Sequence, residues 1–546
     1  MKHENTSTLS RAAAIAVSDL RIEARTSSGW TEIVKGVSFT LRRGEVLGIV
    51  GESGAGKSTI GLAALGHFRP GCRVTGGKIV FDGTDMLSLA DHQRRKLRGT
   101  RIAYVAQSAA ASFNPAKRLM DQVVEAAVER GGQLREEAEA NAVAMFRSLQ
   151  LPEPETFGRR YPHQVSGGQL QRAMTAMAMI CRPDLIVFDE PTTALDVTTQ
   201  VEVLISIRKA IAEYGVAALY ISHDLAIVAQ LAHRVMVLRY GEVVEEAPIA
   251  EILSAPKHPY TKTLWALRSI EEPERPPSGD LLQVRNISAS YGTFKVLESV
   301  DLSVGKGQTV ALVGESGSGK STLGRVIAGL MKPDGGAVMF EQSRLGPVVS
   351  SRTKDQLRRV QIIYQSADTS LNPRHAVRKI IGRPVSFFHG LSGKKREARI
   401  VELLRMVELD GSYIDRMPSQ LSGGQRQRVA IARALAADPE LIICDEVTSA
   451  LDQIVQADIL KMLLDLQNRL GVSYLFITHD LEIVRAIADQ VVVMNKGRIV
   501  EHGKRGEVLS PPYEDYTRLL LDSVPEMSSD WLDRLISTRA AIAAKQ

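Results

Sequence analysis

GESGAGKST at 51–59 and GESGSGKST at 314–322 are one nonapeptide written twice, differing only at Ala55 and Ser318. Each copy fits G-x-x-x-x-G-K-[ST], and the first follows the apolar run EVLGIV (45–50). Glycines at these spacings let backbone N–H groups turn inward around phosphate oxygens, at a helix start whose dipole favours negative charge. A strand feeding such a loop is the setting that a phosphate-binding loop requires.

Working outward, the rest of the chain is also doubled. VSGGQLQR (165–172) returns as LSGGQRQR (421–428), FDEPTTALD (188–196) as CDEVTSALD (444–452), and SHDL (222–225) as THDL (478–481). The phosphate loops lie 263 residues apart (314 − 51) and the other three pairs 256 apart (for example 421 − 165). Four blocks in one order, with one loop-sized change in offset, make two homologous modules of about 260 residues. We expect modules at 1–268 and 281–546, joined by the Pro- and Glu-rich linker SIEEPERPPSGD within 269–280.

Inside each module, short β-branched runs such as LIVF (185–188), ALYIS (218–222) and RVMVL (234–238) alternate with helical patterns. That alternation predicts an α/β fold with a mainly parallel sheet. The stretches 115–160 and 374–416 are long, charged and amphipathic, and predict an inserted helical subdomain.

Composition removes whole classes of function. Of 546 residues, 44% are hydrophobic and 24% charged, enough to bury a large core. Cys72, Cys181 and Cys444 are far apart, which argues against a disulfide framework, a zinc site or an iron–sulfur cluster. No apolar run reaches the roughly 18–20 residues needed to span a bilayer. AAAIAV (12–17) is too short for a signal sequence and reads as a leader into the first strand. A net charge of +6 is spread without a basic block, so no nucleic-acid partner is expected.

The chemistry follows from the motifs. Lys57 and Lys320 suit neutralisation of β- and γ-phosphates, and the hydroxyls of Ser58 and Ser321 suit Mg²⁺. LIVFDE (185–190) and LIICDE (441–446) are apolar strands ending in two acids, at the sheet edge where α/β folds bind ligands. Asp189 and Asp445 can hold the metal's water shell; Glu190 and Glu446 can orient or deprotonate an attacking water. An isolated Asp-Glu pair is usually a solvated loop end, but here each follows a phosphate loop in its own module.

The order of phosphate loop, glutamine, SGGQ, acid-ended strand, ALD and His-Asp resembles the ATP-binding cassette (ABC) family over nearly the whole chain, twice. The resemblance implies a RecA-like core with an antiparallel β edge and a helical subdomain in each cassette. It implies ATP and Mg²⁺ as cofactors. It makes Gly51, Glu52, Ser53, Gly54, Ala55, Gly56, Lys57, Ser58 and Thr59 one ATP-binding loop. Gly314, Glu315, Ser316, Gly317, Ser318, Gly319, Lys320, Ser321 and Thr322 make the other. It further implies catalytic roles for Gln107, Gln365, His223 and His479 beside Glu190 and Glu446, with Gln107 and Gln365 also reaching the metal held by Ser58, Asp189, Ser321 and Asp445. Ser166, Gly168 and Gln169, and Ser422, Gly424 and Gln425, would meet nucleotide held by the opposite cassette, the two cassettes pairing within the chain. Asp196 and Asp452 resemble the loop that signals between cassettes. Tyr291 fits the aromatic that stacks on adenine; the first half has Ala24 near that place, and Trp30 is the candidate substitute.

SFNP (112–115), SLNP (370–373) and HPYTKTLWAL (258–267) are similar to the dipeptide/oligopeptide importer branch, including fused two-cassette forms. In the second half PPYEDYTRLL (511–520) keeps Pro512, Tyr513 and Thr517 in a looser frame. The resemblance implies an energy-coupling ATPase, peripheral at the cytoplasmic face of a bacterial inner membrane. Its partners would be two transmembrane permease subunits and a periplasmic solute-binding protein. Two other readings stay open on sequence alone: a tandem ATPase acting on ribosomes, against which the short Pro-rich linker speaks, and a nucleotide-binding scaffold with one inactive site.

Overall fold

A computed structural model describes residues 13–26, 29–193, 195–266, 272–276, 279–449 and 451–543. The chain divides into two compact units, Met1–Trp265 with Pro525–Gln546, and Ala266–Val524. This division departs from the expected 281–546 module at its far end, since residues from 525 onward belong with the first unit.

In the first unit an antiparallel sheet of β1 (Ala13–Thr26), β2 (Gly29–Arg42), β4 (Cys72–Phe81) and β5 (Thr84–Asp85) has the order β2-β1-β4-β5. A second sheet holds β3 (Val46–Gly51), β6 (Ile102–Val105), β7 (Leu185–Asp189), β8 (Ala217–Ile221), β9 (Arg234–Arg239) and β10 (Glu242–Pro248), in the order β10-β9-β3-β8-β7-β6. Five of these strands run parallel, and β10 pairs antiparallel with β9. Every residue of β3, β7 and β8 is buried, as a parallel sheet covered on both faces demands. Ile15, Ile22 and Val34 of the antiparallel sheet share one core with Leu47, Val187 and Leu219 of the parallel one. The expected insertion contains helices Leu119–Glu129 and Arg135–Ser148. The leader residues 13–17 lie in β1; residues 1–12 fall outside the described residues.

The second unit repeats the plan. Its antiparallel sheet has β11 (Asp280–Tyr291), β12 (Phe294–Gly305), β14 (Gly335–Phe340) and β15 (Ser343–Arg344), in the order β12-β11-β14-β15. Its other sheet has β13 (Thr309–Val313), β16 (Val360–Ile363), β17 (Leu441–Asp445), β18 (Ser473–Ile477), β19 (Gln490–Asn495) and β20 (Arg498–Lys504), in the order β16-β17-β18-β13-β19-β20. The insertion holds helices Val377–His389 and Gly393–Met406.

Part of the expected linker is tied down. Arg275 donates its N–H to Asp489 (2.7 Å), which also accepts the Thr309 N–H (2.7 Å). Asp489 is buried, and a buried carboxylate needs such donors. Residues 269–271 and 277–278 of that segment lie outside the described residues.

The tail of the first unit, Trp531–Ala543, is a helix that buries Trp531, Leu532 and Leu535. Its seat is built around Gln230, whose amide donates to the carbonyls of Glu526 (3.1 Å) and Ser528 (2.8 Å) and accepts from the Leu532 N–H (3.2 Å). Arg208 adds an ion pair to Asp533 (2.6 Å).

Candidate active sites

Each phosphate loop leaves the end of a central strand and opens a helix, Lys57–Ala64 or Lys320–Ile327. Two glycines are obligatory in the first. Gly56 caps the helix at φ 96°, a left-handed conformation, and a Cβ on Gly51 (φ 153°) would sit 2.2 Å from the Leu238 carbonyl oxygen. The Lys57 ammonium lies against the carbonyls of Gly51 (2.8 Å) and Glu52 (2.9 Å), and Lys320 against those of Gly314 (2.8 Å) and Glu315 (2.7 Å).

The acid pairs sit beside these loops. The Ser58 hydroxyl donates to Asp189 (2.8 Å) and that of Ser321 to Asp445 (2.8 Å). A hydroxyl and a carboxylate are hard oxygen donors that fit Mg²⁺, which takes its remaining ligands from water and phosphate. Among the described residues no group of three or more His, Cys, Asp or Glu side chains could hold a metal ion.

One residue on, Glu190 and Glu446 have φ of 50° and 49°, a sparsely populated region for a residue with a Cβ. Their N–H groups are pinned to Ile221 and Ile477 carbonyls (both 2.9 Å) on the adjacent strand. Gln107 donates to Glu190 (3.0 Å) and Gln365 to Glu446 (2.6 Å). His223 Nδ1 lies 3.5 Å from Glu190, and His479 Nδ1 3.3 Å from Glu446. Lys57 is 3.9 Å from Glu190. Within each unit, then, the lysine, serine, two acids, glutamine and histidine named from sequence come together.

The electrostatics are those of a coupled pair. Burial pushes the Glu190 carboxyl up, but the hydrogen bond and charge of His223, with Lys57, outweigh it and hold the carboxyl below its ordinary value. Burial pushes the His223 imidazole down, and Glu190 more than restores it, so it ends above its ordinary value. Glu446 and His479 repeat this.

The signature residues carry local structure of their own. Ser166 caps helix Gly167–Met179, accepting the Gln169 N–H (3.3 Å) while Gln169 accepts the Ser166 N–H (3.2 Å). Ser422 and Gln425 form the same reciprocal cap. Gly168 and Gly424 lie against Thr199 and Val455. Asp196 and Asp452 cap helices Val197–Tyr214 and Gln453–Leu470.

The adenine candidates divide. Tyr291 pairs across the hairpin with Phe294 and accepts a hydrogen bond from Arg325 (3.3 Å) on the phosphate-loop helix. In the first unit Ala24 pairs with Thr31, and Trp30 lies under the guanidinium of Arg73 (4.1 Å).

Sequence reasoning missed several residues. Tyr104 donates to Asp189 (2.7 Å), its phenol held well above its ordinary pKa by burial and that carboxylate. Its counterpart 258 residues on, the same spacing as Gln107 to Gln365, is Ile362, so the two sites differ. Tyr260 and Tyr516 accept the N–H groups of Glu52 (3.2 Å) and Glu315 (3.0 Å). This corrects the frame of the second HPYT-like segment. Tyr516 and Thr517 stand for Tyr260 and Thr261, whereas Tyr513 falls outside that match; the His and Pro that mark the first copy have become Glu514 and Asp515.

Comparison with known proteins agrees with this double arrangement. A family model described as ABC transporter matches residues 34–193 and 297–449. The chain belongs to that family. A second model, the C-terminal region of oligopeptide/dipeptide transporters, matches 244–292 and 500–545. The chain is 38% identical to the glutathione import ATP-binding protein GsiA of Escherichia coli (strain K12), over 94% of this chain and 89% of that protein. The same figures hold for GsiA of Shigella dysenteriae serotype 1 (strain Sd197) and of Salmonella typhimurium (strain LT2). Among solved structures, the dimeric MJ0796 bacterial ABC transporter cassette is 30% identical, covering 41% of this chain and 98% of its own, with a TM-score of 0.38. This chain is an ABC transporter ATPase built as two tandem cassettes.

Proposed function

We propose that both units hydrolyse ATP and that the chain drives import of peptides or glutathione-like solutes through two separate permease subunits fed by a solute-binding protein. The observation that carries the hydrolytic reading is the convergence, in each unit, of glutamine and histidine on one glutamate beside the phosphate-loop lysine, which in the first unit lies 3.9 Å from it. The importer reading rests on the matched C-terminal regions and the GsiA relatives. Those regions also favour transport over a ribosomal role. Among the described residues no helix is long and apolar enough to cross a membrane.

Lys57 and Lys320 leave their carbonyl partners for the β- and γ-phosphates. Ser58 with Asp189, and Ser321 with Asp445, hold Mg²⁺, which when bound neutralises phosphate charge. Glu190 and Glu446 orient the attacking water. A carboxylate held below its ordinary pKa is charged at neutral pH but a weak base, so its contribution lies more in placing the water than in stripping its proton. Gln107 and Gln365 donate to Oε2 of the glutamate, and the histidine at the neighbouring strand end meets the same oxygen in the first unit (His223) and Oε1 in the second (His479). Ser166, Gly168, Gln169, Ser422, Gly424 and Gln425 act on nucleotide in the opposite cassette, Tyr291 stacks on adenine, and Trp30 supplies the first site's aromatic face.

The test is the double variant Glu190→Gln/Glu446→Gln. Turnover falls by about 10²-fold or more while ATP still binds. Undiminished turnover would refute the assignment of both glutamates. Affinity purification from membranes should bring down two membrane-spanning proteins; recovery with ribosomes instead would overturn the importer reading.

A further inference from the structure

In each unit a helix that follows the last strand sends a tyrosine hydroxyl to the phosphate loop. Tyr260, on helix Pro259–Ala266, accepts the Glu52 N–H at 3.2 Å, and Tyr516, on helix Asp515–Asp522, accepts the Glu315 N–H at 3.0 Å. On the other side of the same residue, Lys57 and Lys320 bond the Glu52 and Glu315 carbonyls at 2.9 and 2.7 Å. The second residue of each loop is thus held by its N–H from the helix, and by its C=O from the lysine and from the loop's own Ala55 or Ser318 N–H (3.1 and 3.2 Å).

A glutamate at the same position of the last strand, Glu245 or Glu501, helps seat each of the helices that present these hydroxyls. In the first unit Glu245 accepts the N–H groups of Lys257 (2.8 Å) and His258 (3.0 Å), and His258 Nδ1 accepts that of Tyr260 (3.1 Å). Tyr260 and Thr261 are buried, and the Arg239 guanidinium covers the Tyr260 ring at 4.8 Å. In the second unit Glu514 accepts the N–H groups of Tyr516 (2.8 Å) and Thr517 (3.3 Å), and Glu501 accepts the Thr517 hydroxyl. Around the tyrosine, KHPYTKTL and YEDYTRLL share little beyond Tyr-Thr, yet they deliver the same oxygen to the same amide.

We propose that Tyr260 and Tyr516 are positioning residues for nucleotide binding, and that through them each of these C-terminal helices is coupled to the occupancy of its phosphate loop. The lysine grip is lost when the ammonium turns to phosphate. From that point the phenol is the hold on Glu52 or Glu315 that reaches in from outside the loop, beside the loop's own turn bond from Ala55 or Ser318, leaving the following N–H groups facing the phosphates. By linkage, a loop held by nucleotide must in turn hold the helix more firmly. The inference rests on reading both loops as ATP-binding.

Tyr260→Phe, Tyr516→Phe and the double variant remove only the hydroxyl. Steady-state ATP turnover of the full chain should show KM raised by about 2- to 10-fold at each altered site, the range of one net hydrogen bond, with kcat within twofold. A purely structural hydroxyl would lower the melting temperature and leave KM unmoved, and that result overturns the proposal; so does a fall in kcat at fixed KM. If the Phe variants do not fold, hydrogen exchange of the unaltered chain decides. Saturating Mg-ADP should slow amide exchange in 259–266 and 515–522, and unchanged exchange there refutes the coupling. Wild-type chain that fails to bind nucleotide would instead refute the ATP-binding reading itself.

Discussion

Replacing Gln230 by Leu keeps the side chain's bulk and removes the Gln230 hydrogen bonds that tie the C-terminal tail to the first unit, leaving the Arg208–Asp533 ion pair and the apolar contacts. Three hydrogen bonds to the tail are lost: two that the Gln230 amide donates to Glu526 and Ser528, and one that it accepts from Leu532. At about 1 kcal/mol net for each, and with the amide's two hydrogens shared with the Ala226 carbonyl (2.9 Å), the docked state loses about 2–3 kcal/mol, on the order of a 10²-fold rise in the local opening equilibrium. The burial of Trp531, Leu532 and Leu535 remains, so the helix stays docked most of the time but opens far more often. Hydrogen exchange read by mass spectrometry is the assay. Amides of 531–543 should exchange about 10²-fold faster, while those of β3 and β8 keep their wild-type rates. Tail exchange unchanged to within twofold would refute Gln230 as the anchor. Uniform acceleration across the unit would show global destabilisation instead.

Three further outcomes are expected. Gly168→Ala and Gly424→Ala would place a Cβ 2.0 Å from Thr199 and 2.5 Å from Val455. Each should cost about 1–3 kcal/mol in urea unfolding, with Thr199→Ala partly rescuing the first. Tyr104→Phe takes from the buried Asp189 one of its two hydroxyl donors and should destabilise the first unit by about 1.5–3 kcal/mol. Ile362 has no such group to lose, so the second unit's transition should stay put. His479 should titrate above 6.5 by NMR, and below 6.5 in Glu446→Gln, where burial is left to act. In stability terms, the contribution of His479 is complete below its unfolded pKa of 6.5 and lost as pH rises through the elevated native value. That of Glu446 is present above 4.5 and lost as pH falls through its depressed native value. The pair therefore contributes most between about pH 4.5 and 6.5, and a pH series of urea midpoints checks this.

What sequence revealed here was whatever is written in contiguous letters. The phosphate loops, SGGQ segments and acid-ended strands are short motifs whose chemistry depends on residue type, and in their order they resemble the ABC family on sequence alone. Positive φ at Glu190 and Glu446 was invisible, because neither residue type announces it. Tyr516 escaped because its acceptor role depends on a backbone amide that every residue but proline carries, and because its neighbours had changed from His-Pro to Glu-Asp. The difference between Tyr104 and Ile362 stood in the letters, but only the contact with Asp189 gives it meaning. The fixing of Arg275 on Asp489 was hidden for a similar reason: 214 residues separate the partners.

The return of residues 525–546 to the first unit has a consequence for how the chain is made. Some 260 residues separate Trp265 from Pro525, which at ribosomal speeds is roughly 13 to 50 s of synthesis. Throughout that interval Gln230 and the seat for Trp531 wait for the tail, although the rest of the first unit has already been synthesised. The first cassette is therefore finished last, after the second has been built. A split of the gene between the two cassettes would separate the first from its own final helix.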